Sequence, residues 1–570
     1  MLLYTADFET ISYQENGITK ARVWAWAICS ITNPEQVIIG NTMDSFMAWV
    51  EKSNRDRLYF HNLKFDQSYI IDWLERNGYT HSTAKNPPDD KTYTTLITEM
   101  GQCYTLDIMA KKRASKPKGV KCFDSLKVLP FSVDAIAKSF GLPISKLSID
   151  YKAYREYGHE LTPEETEYIK HDVQIMAMAL DILFKKGLKR MTTASNALAD
   201  YKKDFGKMEF RGRFPILPPD MDKDIRQSYR GGFTYLKPEY ADKDLENMIV
   251  LDVNSLYPSV MRTEKYPIGQ PVFFQGRYEP DEKHPLYIQM FTCKFKVKEG
   301  YLPTIQLKHN YFFQPNEYIT STYDEKFGVY KDCTMCLTSV DLELFFDHYE
   351  TWDRVYHSGY KFKATEGIFN KYIDYWTGEK IKASKEGNKP QRTISKLMQN
   401  SLYGRFALKT EMKSKQPYLD PEKDIIRYRT LPAEQREGLY LPVGCFVTAY
   451  ARNKTIRSAQ SVYDRFVYAD TDSLHLLGTE LPENLDIDPY KLGAWKHESS
   501  PTRARFIRQK TYIEEIDGQL NVTCAGMPKQ CHEAVTWENF HPGAVYHGKL
   551  LPKTVPGGII LEETDFTIQI

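Results

Sequence analysis

At 570 residues and 66.4 kDa the chain is too long for a single hydrophobic core, and two to four domains are expected. Its composition, 42% hydrophobic and 26% charged, is globular, and the lack of any run of about 18 apolar residues argues against a membrane-spanning helix. A net charge of +1 singles out no partner, but its distribution does: Lys111–Lys121, Lys380–Lys415 and Thr502–Lys510 are three strongly basic stretches, as expected of a polyanion-binding surface or, more plainly, of solvated faces.

The amino terminus lacks a basic region and turns acidic within seven residues, which does not fit a secretory signal, so a cytoplasmic protein is the default. Nine scattered cysteines point to reduced thiols. Cys333 and Cys336 have zinc-like spacing without a second ligand pair, so ordinary packing is the favoured reading.

In chain order, Leu2–Thr10 reads as a strand whose period of two puts Asp7 and Glu9 on one face. Asp66 closes the segment that follows the apolar Leu58-Tyr-Phe60. A helix is punctuated by Thr162 as N-cap, Pro163 in its first turn, Glu165 completing a capping box, and Gly187 at its end. Tyr168 and Asp172, four residues apart, share its face. Four acids on three elements, with a phenol to orient a water, make a two-metal nuclease centre; the alternative is a set of surface acids.

Further along, Tyr229-Arg-Gly-Gly232 pairs an aromatic and a cation with two glycines that let backbone approach a strand, or is an ordinary turn. Met248-Ile-Val-Leu251 reads as a buried strand that leaves Asp252 at its carboxyl end before a turn into a helix. Pro390–Gly404 reads as one helix whose Arg392, Lys396, Asn400 and Tyr403 fall within about an 80° arc: cations for triphosphate oxygens, a ring for a base pair. A solvated basic face with a core tyrosine is the alternative. The apolar runs flanking Asp470-Thr-Asp472 make that string a hairpin tip. Carboxylates crowded this way repel unless hard cations bind them, which suits phosphoryl transfer. After the arginines that include Arg508, Lys510 and Tyr512 share one face of a strand-like segment, where they would grip a primer-end phosphate.

In the order and spacing of these motifs the chain resembles the family B DNA polymerases of the protein-primed bacteriophage type. The resemblance covers nearly its whole length and includes Lys396-x-x-x-Asn-Ser-x-Tyr-Gly404 and Tyr468-x-Asp-Thr-Asp-Ser473. It implies a mixed α+β, multidomain right hand of palm, fingers and thumb behind an amino-terminal, RNase H-like α/β exonuclease domain. It also implies Asp252 and Asp472 as main metal ligands, helped by the Val253 carbonyl with Asp470 less directly involved. Tyr257 would close the sugar pocket against a ribonucleotide. Lys396 would contact the triphosphate and Tyr403 would underlie the nascent pair, with Arg392 and Asn400 alongside; a two-residue excess near 380–392 weakens the match at Arg392.

Asp7, Glu9, Asp66 and Asp172 would carry 3′-to-5′ excision with Tyr168 and a supporting Lys146. Thr10, Asn62, Phe65, Ser125 and Leu126 would hold the single-stranded primer end, while Tyr229, Gly231, Gly232, Arg508, Lys510 and Tyr512 would contact DNA. Two magnesium ions per site are implied, with manganese able to substitute.

About 139 residues separate Tyr257 from Lys396, more than a bare palm-to-fingers connection needs, and a second insert spans about 408 to 437. The implied layout is exonuclease 1–190, palm 191–264 and 438–530, first insertion 265–367, fingers 368–407, second insertion 408–437 and thumb 531–570. In that family the first insertion contacts DNA and a terminal protein whose hydroxyl replaces a primer, and the second supports processivity and strand displacement. The expected partners are template and primer DNA, deoxynucleotides and a phage terminal protein joined as a heterodimer at initiation, the enzyme being otherwise a monomer in the cytoplasm of an infected bacterium. A nucleic-acid-primed polymerase, a dedicated exonuclease with a DNA-binding carboxy-terminal region, and a non-catalytic scaffold are the competing readings.

Overall fold

A computed structural model describes residues 1–112, 116–151, 153–306 and 317–569. Arg113 of the first basic stretch and residues 307–316 of the first insertion lie outside the described residues.

The apolar alternation at the amino terminus builds an eight-stranded mixed sheet. Strand Leu3–Glu15 lies inside it, antiparallel to Ile18–Ser30 on one side and parallel to Asn54–Phe60 on the other. Its register shifts between Glu9 and Thr10, a bulge that re-aims the side chains just past the acidic pair. Helix Pro163–Lys185 crosses this sheet, with the Thr162–Glu165 capping box formed and the Thr5 hydroxyl donating to the Val173 carbonyl at 2.7 Å. Helix Leu63–Arg76 begins at Asn62, whose left-handed backbone (φ +78°) swings Asp66 back toward the first strand.

A second sheet of five strands is antiparallel throughout its pairings and places Met248–Val253 between Ser473–Leu477 and Trp495–Ser499. Behind it runs helix Leu441–Ser461, whose buried residues join the largest core cluster. Strands Tyr266–Gln275, Leu286–Val297, Cys333–Thr338 and Tyr349–Thr365, the sheet at 266–365, are antiparallel and covered by helix Ser339–His348. Residues 411–435 form two small ribbons, Lys415–Asp420 with Ile425–Thr430 and Glu411–Met412 with Glu434–Gln435.

Two distant segments clasp the amino-terminal sheet. In the ribbon at 415–430, Asp424 pairs with Arg76 at 2.6 Å and Ile426 enters the same core cluster as Phe8 and Phe46. The tip of the long hairpin Val545–Val555/Gly558–Thr567 docks nearby: the Ala21 amide donates to the Pro556 carbonyl (2.9 Å) and the Tyr69 hydroxyl to that of Ile559 (2.5 Å). Gly557 allows this approach, since a Cβ there would lie 2.1 Å from the Ala21 carbonyl oxygen.

All nine cysteines are buried and free, and burial pushes the Cys333 and Cys336 thiols up to about 12. Among the described residues no helix is long and apolar enough to cross a membrane.

The sheet at 266–365 is tied to the five-stranded sheet by one buried ion pair. Arg452 meets both oxygens of Asp341 (2.7 and 2.8 Å) and also donates to the carbonyls of Arg230 and Gly231, both at 2.7 Å. With both side chains under a tenth exposed, Arg452→Met strands a buried carboxylate and costs about 3–5 kcal/mol, while the double variant Arg452→Met/Asp341→Leu recovers much of it. Thermal unfolding of the two variants checks this ordering.

Candidate active sites

The first centre gathers acids from three elements. Ligand oxygens of Asp7, Glu9 and Asp172 lie within 4.8 Å of one another, the one such carboxylate group among the described residues. Asp66, 4% exposed, stands beside them in the first turn of its helix, near enough for Asp7 and Glu9 to raise its pKa. Burial pushes the Asp7 carboxyl up to about 7, reinforced by Asp172; Glu9 and Asp66 are pushed well up by burial and their acidic neighbours. The cation at hand is Lys146, bonded to Asp172. Oδ1 of Asp172 is buried with no hydrogen-bond partner. Crowded hard oxygens, one of them orphaned, fit a divalent cation.

Around this centre the Tyr168 hydroxyl, buried at 2% exposure, lies 3.1 Å from that of Tyr151. Thr10 sits at the bulge, and Phe65 packs against Tyr69 with centroids 5.7 Å apart. Leu126 is half-buried in a short 3-10 turn. Ser125 is fully buried, its hydroxyl donating to the Phe60 carbonyl at 2.9 Å. Two residues escaped the sequence reading. Asp124 Oδ1 accepts from the amides of both Asn62 (3.1 Å) and Leu126 (3.0 Å), joining the two segments, and Tyr151 faces Tyr168. An acid just after a buried strand is the one signal that marked Asp124.

The second centre forms where two strand ends meet. Asp252 pairs across the sheet with Ser473, and the Val253 amide donates to the Asp472 carbonyl at 2.7 Å. The Asp470-Thr-Asp472 string is the hairpin tip the sequence predicts. Thr471 holds φ +62°, a costly conformation for a β-branched residue, and is pinned by its amide to the Phe233 carbonyl (2.6 Å) and by its carbonyl to the Thr455 hydroxyl (2.7 Å). Gly232 lies flat against this tip; a Cβ there would come within 2.7 Å of the Thr471 side chain. Gly232 thus admits the hairpin, whereas a Cβ at Gly231 would meet nothing within 4 Å.

Burial, then Asp252, raises Asp472 to about 6, and burial raises Asp252 while Lys496 at 3.4 Å opposes it. Asp470 faces elsewhere: Lys510 holds both its oxygens at 2.7 Å and the Thr234 hydroxyl donates at 3.2 Å.

Several expectations change here. Lys510 does not share a strand face with Tyr512; it occupies the tight turn between Arg503–Arg508 and Thr511–Ile516 with φ +57°, which lets it reach Asp470. Tyr512 packs on Tyr468 and Phe506. The basic stretch 502–510 is largely consumed internally: Arg503 and Arg505 pair with Asp244, and Arg508 donates to the Gln569 carbonyl at 2.9 Å. The expected single helix ends at Ser401, and Tyr403–Phe406 is a separate turn after Leu402, whose side chain is fully buried.

Arg392, Lys396 and Asn400 keep one exposed face. Tyr403 stacks on Tyr257 with centroids 4.2 Å apart and planes 21° from parallel. Tyr229 is half-buried close by, its pKa raised by burial and by Tyr403. Lys380, on helix Asn370–Lys385, was hidden in a generic basic run; burial, Lys396, Arg392 and Lys496 all push its pKa down, marking a cation pocket held ready for an anion.

The raised carboxylates predict a stability signature. For Asp7 the unfolded chain loses its proton near pH 4 while the fold holds it to about 7, so the metal-free fold weakens as pH rises between the two and the loss is complete above about 7. Asp7→Asn therefore stabilises the metal-free protein at pH 8 by on the order of 1 kcal/mol and blunts the stabilisation that divalent cations give. Thermal melts with and without chelator check it. Gly232→Ala displaces Thr471 from its pinned turn and destabilises the protein by about 1–3 kcal/mol, as thermal unfolding reads.

Comparison with known proteins agrees with this geometry. The profile for DNA polymerase type B, organellar and viral, matches residues 50–488. The DNA polymerase of Bacillus phage Nf is 45% identical over 100% of this chain and 99% of its own, and that of Bacillus phage phi29 is 44% identical over the same shares. The solved structure of phi29 DNA polymerase with primer-template DNA and incoming nucleotide substrates superposes with a TM-score of 0.93 at 42% identity, covering all of both chains.

Proposed function

The chain belongs to the type B DNA polymerases, organellar and viral, and is a DNA-directed DNA polymerase of the phage kind; from that footing we propose how its two carboxylate centres divide the work. Polymerases of this family depend on divalent metal ions and typically carry a 3′-to-5′ exonuclease. We assign polymerisation to the centre at 252 and 472 and excision to the centre at 7, 9, 66 and 172. The observation that carries the assignment is the difference in cationic surroundings. The centre at 252 and 472 faces Lys380, Lys396, Arg392 and Lys496, which suit a triphosphate; that at 7, 9, 66 and 172 has Lys146, which suits the one phosphodiester of a strand end.

In the polymerising centre Asp252, Asp472 and the Val253 carbonyl would hold two magnesium ions, for which manganese would substitute. Such ions, when bound, promote attack by a hydroxyl and steady the leaving oxygen. The chain's own groups do the rest. Lys396, Arg392 and Lys380 bind and orient the triphosphate, the stacked Tyr257 and Tyr403 exclude water and support the nascent pair, and Tyr257 would close the sugar pocket against a ribonucleotide 2′-hydroxyl. Lys510, half-exposed, holds Asp470 and would contact a primer-end phosphate. In the excision centre Lys146 orients Asp172, and Tyr168 with Tyr151 positions a water.

The implied partners are template and primer DNA with deoxynucleotides, the same classes of ligand that the phi29 enzyme holds in its solved complex. We further propose that initiation uses a phage terminal protein, bound as a heterodimer against the sheet at 266–365, in the cytoplasm of an infected bacterium. The ribbons at 411–435 would support processivity and strand displacement, and the layout of domains follows the boundaries given above. Support comes from the full-length match to phage polymerases and from the sheet and ribbons found among the described residues of the two expected insertions.

Asp252→Ala and Asp472→Ala each abolish primer extension, by at least about 10³-fold, with excision retained; Asp66→Ala does the reverse. Gel assays of extension and degradation on one labelled primer read both, and extension surviving at Asp472→Ala contradicts the assignment. Incubation with labelled dATP, the terminal protein and manganese transfers label to protein if priming is by a hydroxyl of that protein.

A further inference from the structure

Among the arginines that line the molecule's centre, Arg405 is unlike its neighbours. Arg226 pairs with Asp222, Arg452 with Asp341, and Arg230 donates to the carbonyls of Ser228 and Cys336. Arg405 is half-buried and has no ion pair among the described residues, and its Nε is buried with no hydrogen-bond partner among them. A guanidinium is costly to remove from water without an anion, and its planar fork is suited to phosphate.

Its position is informative. Arg405 lies two residues beyond Tyr403 on the short helix Tyr403–Phe406. The Phe406 ring meets Tyr201 with centroids 6.5 Å apart, which brings the next residue, Lys202, to the same place. Lys202 lies over the Phe210 ring at 4.5 Å and, like the exposed Arg211, has no ion pair among the described residues. Tyr104 of the amino-terminal sheet is also near enough to act on Arg405, with Lys127 over its ring at 5.4 Å; Lys127 directly follows Leu126 of the excision centre. The cluster therefore sits between the polymerising platform and the excision loop. Burial pushes the Arg405 guanidinium down, and burial with Arg405 and Arg211 does the same to Lys202 against the lone opposing pull of Glu437.

We propose that Arg405, with Lys202 and Arg211 beside it, is a binding subsite for a backbone phosphate of single-stranded DNA next to the polymerising centre. The inference rests on the polymerase reading above. The phosphodiester can come from the unpaired template ahead of the primer or from a primer end that has left its template, and the two sources are separable.

The test measures fluorescence anisotropy in chelator, so that nothing is degraded, on three DNAs: a blunt matched duplex, a duplex with a long template 5′ overhang, and a duplex whose primer 3′ end is unpaired over a blunt template. Arg405→Gln lowers affinity about tenfold for one of the two single-stranded forms and flattens its log–log salt dependence by about 0.7, leaving the blunt duplex unchanged. Loss on the overhang alone assigns the template strand, and loss on the frayed end assigns the primer. Arg405→Lys keeps part of the affinity and Lys202→Gln loses part, which carries the test even if Arg405→Gln folds poorly. Unchanged affinity on both single-stranded forms, or an equal loss on the blunt duplex, overturns the proposal. A wild-type protein that fails to extend a recessed primer once metal is supplied defeats the polymerase reading instead.

Discussion

Repulsion among carboxylates that the fold will not let apart is the constraint on which the rest of the structure depends. Asp7, Glu9, Asp66 and Asp172 come from one strand and two helices, and each of those elements is fixed by contacts that have nothing to do with charge: a parallel strand pair, a left-handed helix start at Asn62, a capping box at Thr162. The scaffold is rigid enough to hold the acids together at an electrostatic cost and leave one oxygen without a partner. The clasp of the ribbon at 415–430 and the hairpin tip at 556–559 onto the same sheet adds to that rigidity from outside.

The second centre meets the same constraint differently. Its hairpin stores strain at Thr471 and relies on Gly232, Phe233 and Thr455 to keep it. Of its three aspartates, Asp470 is neutralised by Lys510, which leaves Asp252 and Asp472 facing a bank of cations. One centre is thus a concentrated negative charge with a single lysine, the other a pair of acids beside a positive bowl. On the proposed assignment, that contrast, more than the acids themselves, would separate cutting one phosphodiester from handling a triphosphate.

Much of this was legible in the sequence, and what was not has common causes. Local punctuation is explicit, so the capping box at 162–165, the hairpin tip at 470–472 and the strand end at Asp252 all appear where the residues call for them. Partnerships across long separations are not: nothing local to Lys510 says that it turns onto Asp470, or that Asp244 absorbs Arg503 and Arg505, since those depend on which strands pair. For the same reason Asp124 was unreadable as the link between Asn62 and Leu126, and Lys380 could not be told from the other lysines of its run. The break after Ser401 followed no breaker residue; burial of Leu402 and the stacking of Tyr403 on Tyr257 are tertiary.

The account's central claim, that divalent cations relieve a built-in repulsion, makes protons the quantity to count. Calorimetric titration of a divalent cation into the metal-free protein, repeated in buffers of different ionisation enthalpy, gives the number released on binding. At pH 6.5 the carboxyls pushed up to about 7 and about 6 at Asp7 and Asp472 must give up protons, whereas at pH 9 they have none to give. Release at the lower pH that vanishes at the higher, and that shrinks in Asp7→Asn, is the predicted result; binding with no proton release at either pH would contradict it.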